Sequence, residues 1–230
     1  MRPLLAFREP KLQIWPSYTD VAFNVILIFL IYLFVQLVFT GQSSLHIIVL
    51  EKKIEELERQ ISETSALMKK IDKLQNELAR DIKSALEPDL RNKVKAINDG
   101  NLLRLTFSTE VLFDSAQAAL KNEGQRILGP VGKVLKEKSN SFLNIQVEGH
   151  TDTRPIYTSE FKSNWELSSA RATTVVRFLQ EKSGLPPLKL SATGYSEYRP
   201  VDTGSTEEAL ARNRRIELVV VYSLHQEEKN

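Results

Sequence analysis

The sequence predicts an α+β protein in three parts: a single transmembrane helix, a parallel dimeric coiled coil and a carboxy-terminal α/β sandwich. Three observations predict it. An apolar stretch free of charge runs over 21–39, apolar residues recur at strict 3,4 spacing over 47–85, and from Leu102 short β-rich runs alternate with amphipathic helices. The corresponding boundaries are an amino-terminal segment at 1–16, the membrane helix at 17–41, the rod at 42–87, a linker at 88–101, the sandwich at 102–223 and a polar tail at 224–230.

The first element reads VAFNVILIFLIYLFVQLVF, and at about 1.5 Å per residue it reaches roughly the thickness of a hydrocarbon core. It is longer than the apolar core of a signal peptide, and TGQSS after it lacks a small-residue cleavage site, so it reads as a retained anchor. Arg2, Arg8 and Lys11 precede it against a lone Glu9, which places the amino terminus in the cytoplasm and translocates the rest. Asp20 stands at its edge. Ser17-Tyr18-Thr19-Asp20 fits a capping box, so Asp20 either satisfies backbone N–H groups at a helix start or carries an ion.

The second element places Ile47, Leu50, Ile54, Leu57, Ile61, Thr64, Met68, Ile71, Gln75, Leu78, Ile82 and Ala85 on a heptad seam. Isoleucine at the a positions with leucine at d favours two parallel strands, and Thr64 and Gln75 are polar interruptions of the kind that fix register. The alternative is one amphipathic helix packed on the following domain, against which a length of roughly 58 Å argues. Glu87-Pro88 ends the helix, and Asp99-Gly100-Asn101 marks a turn.

In the third element the candidate strands are 102–108, 142–149, 189–194 and 215–222. The candidate helices are 123–138, with Pro130 in its middle, and 164–182, with Asn164 as N-cap. Composition limits the chemistry. A net charge of +2 from 31 basic and 29 acidic residues gives no electrostatic case for nucleic acid. The absence of cysteine removes disulfides, thiolate metal sites and thiol nucleophiles, and three scattered histidines make no metal cluster. No Ser/His/Asp set or matched carboxylate pair points to an enzyme, and no cofactor is expected.

The ordered blocks GHTD (149–152), SNWELSSARA (163–172), ATGYSEYRPV (192–201) and ARNRRIELVVV (211–221) resemble the OmpA-like peptidoglycan-binding domain over about half the chain. SNWELSSARA, and Asp20 ahead of the apolar run, are similar to flagellar stator B subunits of the MotB type. This resemblance implies that Asp152 and Arg171 bind the diaminopimelate of a peptidoglycan stem peptide, with Asn164, Leu167 and Arg214 lining the same pocket. The chemistry is consistent, since a carboxylate and a guanidinium can pair with the ammonium and carboxylate on one carbon. A salt bridge between Asp152 and Arg171 themselves is the plainer reading. Trp165 is expected to pack at the helix start, His150 to satisfy backbone hydrogen bonds, and Arg215 to be structural.

For Asp20 the resemblance implies a carboxylate that carries H⁺ or Na⁺ beside a multi-spanning MotA-like partner, in a homodimer anchored to peptidoglycan from the bacterial inner membrane. The regular heptad rod departs from the flagellar form and points to a non-flagellar motor, such as that of the Zorya antiphage system. A passive tether between inner membrane and wall needs every feature except Asp20.

Overall fold

The computed structural model describes residues 15–224, so the expectations for 1–14 and 225–230 lie outside the described residues. The chain forms two compact units, Met1–Ser62 and Glu63–Asn230.

In the first unit the described residues belong to helix α1 (Trp15–Ala85). Ser17 and Asp20 lie inside this helix and its first turn holds no acidic residue, so the capping-box reading of Asp20 does not apply. Apolar side chains of the stretch are exposed, Val21, Phe29 and Phe39 each by more than half. By length and composition α1 can cross a membrane, and among the described residues it alone can. In the same unit Ile47, Leu50, Ile54, Leu57 and Ile61 are also exposed.

The second unit takes in 63–85 of α1 and then β1 (Val94–Asp99), β2 (Leu102–Ser108), α2 (Thr109–Leu112), α3 (Asn122–Glu137), β3 (Asn144–His150), α4 (Asn164–Ser183), β4 (Leu190–Gly194), α5 (Glu207–Asn213) and β5 (Arg215–Val221). The strands form one mixed sheet in the order β1-β2-β5-β3-β4. Only β3 and β4 run parallel, joined by the α4 crossover that parallel pairing requires. Register sets Leu105 opposite Leu218 and Leu218 opposite Val147, so one face of the sheet gathers Leu103, Leu105, Phe107, Ile145, Val147, Ile216, Leu218 and Val220. All eight are fully buried, together with Ile127, Leu128, Val131 and Leu135 of α3 and Ala172, Val175 and Leu179 of α4.

Three expectations change here. The downstream half of the heptad seam is covered within the same unit: Ile71, Gln75, Leu78 and Ile82 are at most 2% exposed, and their apolar members join the domain core with Leu86 and Leu90. Over this half the packed amphipathic helix describes the chain, and it does not present an intermolecular seam. The stretch read as a linker contains β1, which pairs along its whole length with 102–107 of β2 through a tight turn at Gly100-Asn101. Gly100 adopts φ +59°, a conformation that disfavours any side chain, and its carbonyl accepts a hydrogen bond from Gln75 Nε2 at 3.1 Å. The polar interruption of the seam thus ties the helix to a hairpin. Finally, α3 continues through Pro130, which forfeits one backbone hydrogen bond, while buried Ile127, Leu128, Val131 and Leu135 hold the helix on the core.

Candidate functional site: a charged cavity at the start of helix α4

Strand β3 ends at His150, and the chain passes Asp152 and loops back to enter α4 at Asn164. Ser163, not Asn164, is the N-cap, accepting a hydrogen bond from Glu166 N at 3.4 Å. Asn164, Leu167 and Arg171 follow at 3 and 4 residue intervals and therefore share one face of α4. Close approach of this helix to the sheet depends on Gly149, where an added Cβ would sit 2.2 Å from the Ser168 carbonyl oxygen. Asp152, Asn164, Leu167, Arg171 and Arg214 all line one cavity of about 510 Å³, within the usual size of a small-molecule site.

Its charges are arranged differently from a simple Asp152–Arg171 pair. Asp152 is buried and accepts from Arg154 Nε at 2.8 Å, from Arg154 N at 3.0 Å and from Arg214 Nη1 at 2.7 Å. Burial pushes this carboxyl up, but the hydrogen bonds from Arg154 and Arg214 outweigh it and hold it below the usual aspartate value. Arg214 also donates to Glu110 and, at 3.0 Å, to Glu207. Burial alone lowers its guanidinium; these carboxylates reverse the sign and raise it.

Arg171 has another set of partners. It is 4% exposed, and it donates through Nε to Gln117 O at 2.8 Å and through Nη2 to Asp114 O at 3.2 Å. Its guanidinium lies 5.4 Å from the Phe113 ring centroid. Burial, reinforced by the charge of Arg214, pushes it down to about 10, which leaves it cationic at neutral pH. Arg171 therefore braces the 114–117 loop, where Ala116 takes φ +58°, and presents a cation whose hydrogen bonds run to neutral carbonyls. A buried guanidinium without a bonded carboxylate is well suited to receive one from a ligand.

Sequence reasoning missed Arg154, Glu110 and Glu207. Arg154 is two residues from Asp152, a proximity that could have suggested the pair; nothing local marks Glu110 or Glu207, which arrive from α2 and α5. Asn164 is a hub, its Nδ2 lying 3.0 Å from Arg154 O and 3.3 Å from Glu197 Oε2.

Two further residues depart from expectation. Neither ring nitrogen of buried His150 makes a hydrogen bond; the ring stacks on Tyr195 at 5.3 Å instead, with Nε2 3.5 Å from Glu148 Oε2. Glu148, His150 and Glu217 bring potential metal ligands within 4.8 Å of one another. However, Arg215 Nε and Arg104 Nη1 occupy the two oxygens of Glu217 at 2.6 and 3.1 Å, so the acidic charges are already balanced without a metal ion. This network also accounts for Arg215 as a structural residue. Trp165 is 49% exposed and stacks against Tyr198, itself 66% exposed, with centroids 5.4 Å apart.

Comparison with known proteins places this geometry. The OmpA family model matches residues 112–214. Motility protein B of Bacillus subtilis (strain 168) is 34% identical over 147 residues, 61% of this chain and 55% of its own length. The peptidoglycan-associated lipoprotein of Pseudomonas putida is 38% identical over 123 residues, 52% of this chain and 69% of its own. Among solved structures, a MotB like protein from Desulfovibrio vulgaris superposes with a TM-score of 0.63 at 27% identity, covering 70% of this chain and 99% of that one. The chain spans 62% and 55% of the lengths of the B. subtilis relatives it matches, YtxE and the motility protein. The names of two of these relatives describe motility and peptidoglycan association. With the sequence blocks, the mixed sheet and the matched relatives in one stretch of chain, the protein belongs to the MotB/OmpA-like family.

Proposed function

We propose that this protein is the B-type subunit of an ion-driven membrane motor that anchors itself to peptidoglycan. One observation carries the anchoring role: Asp152, Asn164, Leu167, Arg171 and Arg214, far apart in sequence, converge on a single cavity whose opposite charges suit a zwitterion. Diaminopimelate offers an ammonium to the Asp152 carboxylate and a carboxylate to Arg171. Because Arg154 and Arg214 already bond Asp152, the incoming ammonium exchanges with them rather than meeting a bare charge.

Full-length protein in mild detergent is expected to pellet with purified sacculi, and Arg171→Ala to abolish pelleting. Undiminished pelleting by a folded variant overturns the pocket. Asp152 also sets a pH limit. Its depressed folded value means that its stabilising charge is intact above the ordinary aspartate value, and is lost as pH falls through the depressed one. Retention on sacculi is therefore expected to persist down to about pH 4 and to decline only below it.

The motor reading rests on Asp20. It lies within α1 beside a run without Asp, Glu, Lys or Arg that extends to Leu50, so the helix can shift in the bilayer without burying another full charge. In this reading the anchor sits in the inner membrane with its amino terminus cytoplasmic and the OmpA-like domain periplasmic. A multi-spanning MotA-like partner completes the path for H⁺ or Na⁺, and the exposed seam at 47–61 forms a parallel homodimer. The process served is non-flagellar, antiphage defence being one such role. Asp20→Asn is expected to leave membrane insertion and wall binding intact while eliminating ion-dependent activity. Full activity of that variant reduces the protein to a passive tether.

A further inference from the structure

Beside the cavity the protein carries an aromatic surface that neither wall pocket nor core uses. Trp165 and Tyr198 stack with centroids 5.4 Å apart and planes inclined by 25°, yet both remain substantially exposed, at 49% and 66%. Aromatic rings that serve only to pack lose most of their surface to the core, whereas Phe107 and Phe113 in this domain are almost wholly buried. The pair is also fixed in place. Trp165 follows Asn164 in the first turn of α4, Tyr198 follows Glu197, and Asn164 Nδ2 lies 3.3 Å from Glu197 Oε2. Glu197 in turn accepts a hydrogen bond from Ser196, held at φ +54°. The two rings thus flank the Asn164–Glu197 hydrogen bond, of which Asn164 lines the cavity while the rings stand outside its lining.

We propose that Trp165 and Tyr198 form a stacking platform for a sugar ring of the glycan strand, a second subsite adjoining the peptide pocket. The proposal rests on the peptidoglycan reading of that pocket. A pyranose ring presents a face of C–H groups edged by hydroxyls, which matches a flat apolar surface with a polar rim, and Trp and Tyr supply such surfaces with little conformational entropy to lose. Reach is consistent. Diaminopimelate is the third residue of a stem peptide, so with it seated in the cavity the sugar that bears the peptide lies within about 10 Å of extended chain. The platform begins one residue from the cavity lining. Bound this way, the domain holds peptide and glycan together, and the sugar adds affinity through its attachment to a peptide already in place.

The test compares three probes on the full chain in detergent: the diaminopimelate tripeptide, the same tripeptide joined to its disaccharide, and glycan strands freed of peptides. Wild type is expected to bind the disaccharide-tripeptide about tenfold more tightly than the tripeptide. Trp165→Ala with Tyr198→Ala should remove that increment while leaving tripeptide binding unchanged, and Trp165→Phe with Tyr198→Phe, which keeps both rings and guards against loss of folding, should restore most of it. The peptide-free strands should be retained by wild type and released by the double alanine variant. An increment that is absent, or that survives the double alanine substitution, overturns the platform even though the pocket stands. If no tripeptide binds, the pocket reading fails, and the peptide-free strands decide the platform by themselves.

Discussion

The two halves of the α1 seam have the same 3,4 spacing and opposite surroundings. At 47–61 the seam residues Leu50 and Leu57 are each 47% exposed, whereas at 71–82 Leu78 is 2% exposed and Ile82 1%. Their flanks explain the difference. Upstream, charged neighbours pair within the helix itself, as Arg59 does with Glu56 at 2.8 Å. Downstream, Asp72 and Asn76 both accept from Asn98 Nδ2 of β1, at 3.0 and 3.1 Å, and Gln75 reaches the hairpin turn. A heptad repeat states that a helix has one apolar face; the polar residues beside that face show whether the chain itself supplies the cover.

Truncation gives the largest expected contrast. Leu78→Ala opens a cavity in a closed core and is expected to cost about 2–5 kcal/mol of domain stability, read from urea or thermal unfolding of the sandwich. Leu57→Ala, at the equivalent d position of an exposed stretch, should change that same transition by less than about 0.5 kcal/mol. Equal costs would erase the distinction between the two halves.

The same contrast shows what the sequence made legible. Short β-rich runs alternating with amphipathic helices located β2, β3, β4 and β5 and helices α3 and α4 to within a few residues. β1 escaped because VKAIND offers only Val94, Ala96 and Ile97 as apolar residues, and its outer positions are exposed on an edge strand. Short α5 escaped for want of length. Of the site, the five residues named from the motif blocks all reach the cavity, but their partners were not legible. Arg171 is engaged by the carbonyls of Asp114 and Gln117, more than 50 positions away in sequence, and Asp152 is shared between near Arg154 and distant Arg214. Spacing along one helix fixes which side chains share a face; what meets that face is decided by loops whose paths no local pattern encodes.

A second experiment sharpens the comparison by asking what covers the upstream half. The chain contains no cysteine, so a single introduced thiol is an unambiguous probe. In a parallel dimer each d residue faces its own copy, and Leu57→Cys is expected to form an intermolecular disulfide readily in membranes under mild oxidation. Leu78→Cys, enclosed in the domain core, should remain monomeric and unreactive until the domain is unfolded. Absence of the cross-link at Cys substitutions of both Leu50 and Leu57 would remove the parallel seam while leaving the fold of the second unit untouched.

A small effect is also expected at Gln75, the polar residue within the buried half. Its side chain is 1% exposed, and Nε2 donates to Gly100 while Oε1 is buried without a hydrogen-bond partner. Gln75→Leu removes one hydrogen bond, worth about 1 kcal/mol net, and also removes an unpaired buried oxygen, which costs a similar amount in the native protein. Gly100 is exposed, so water can replace the lost donor. The terms nearly cancel, and the urea midpoint should move by less than about 1 kcal/mol in equivalent stability with the slope unchanged. Had Gln75 instead been the register-setting residue of an intermolecular seam, its replacement by leucine would strengthen association and alter subunit number, a change that sedimentation detects independently of domain stability.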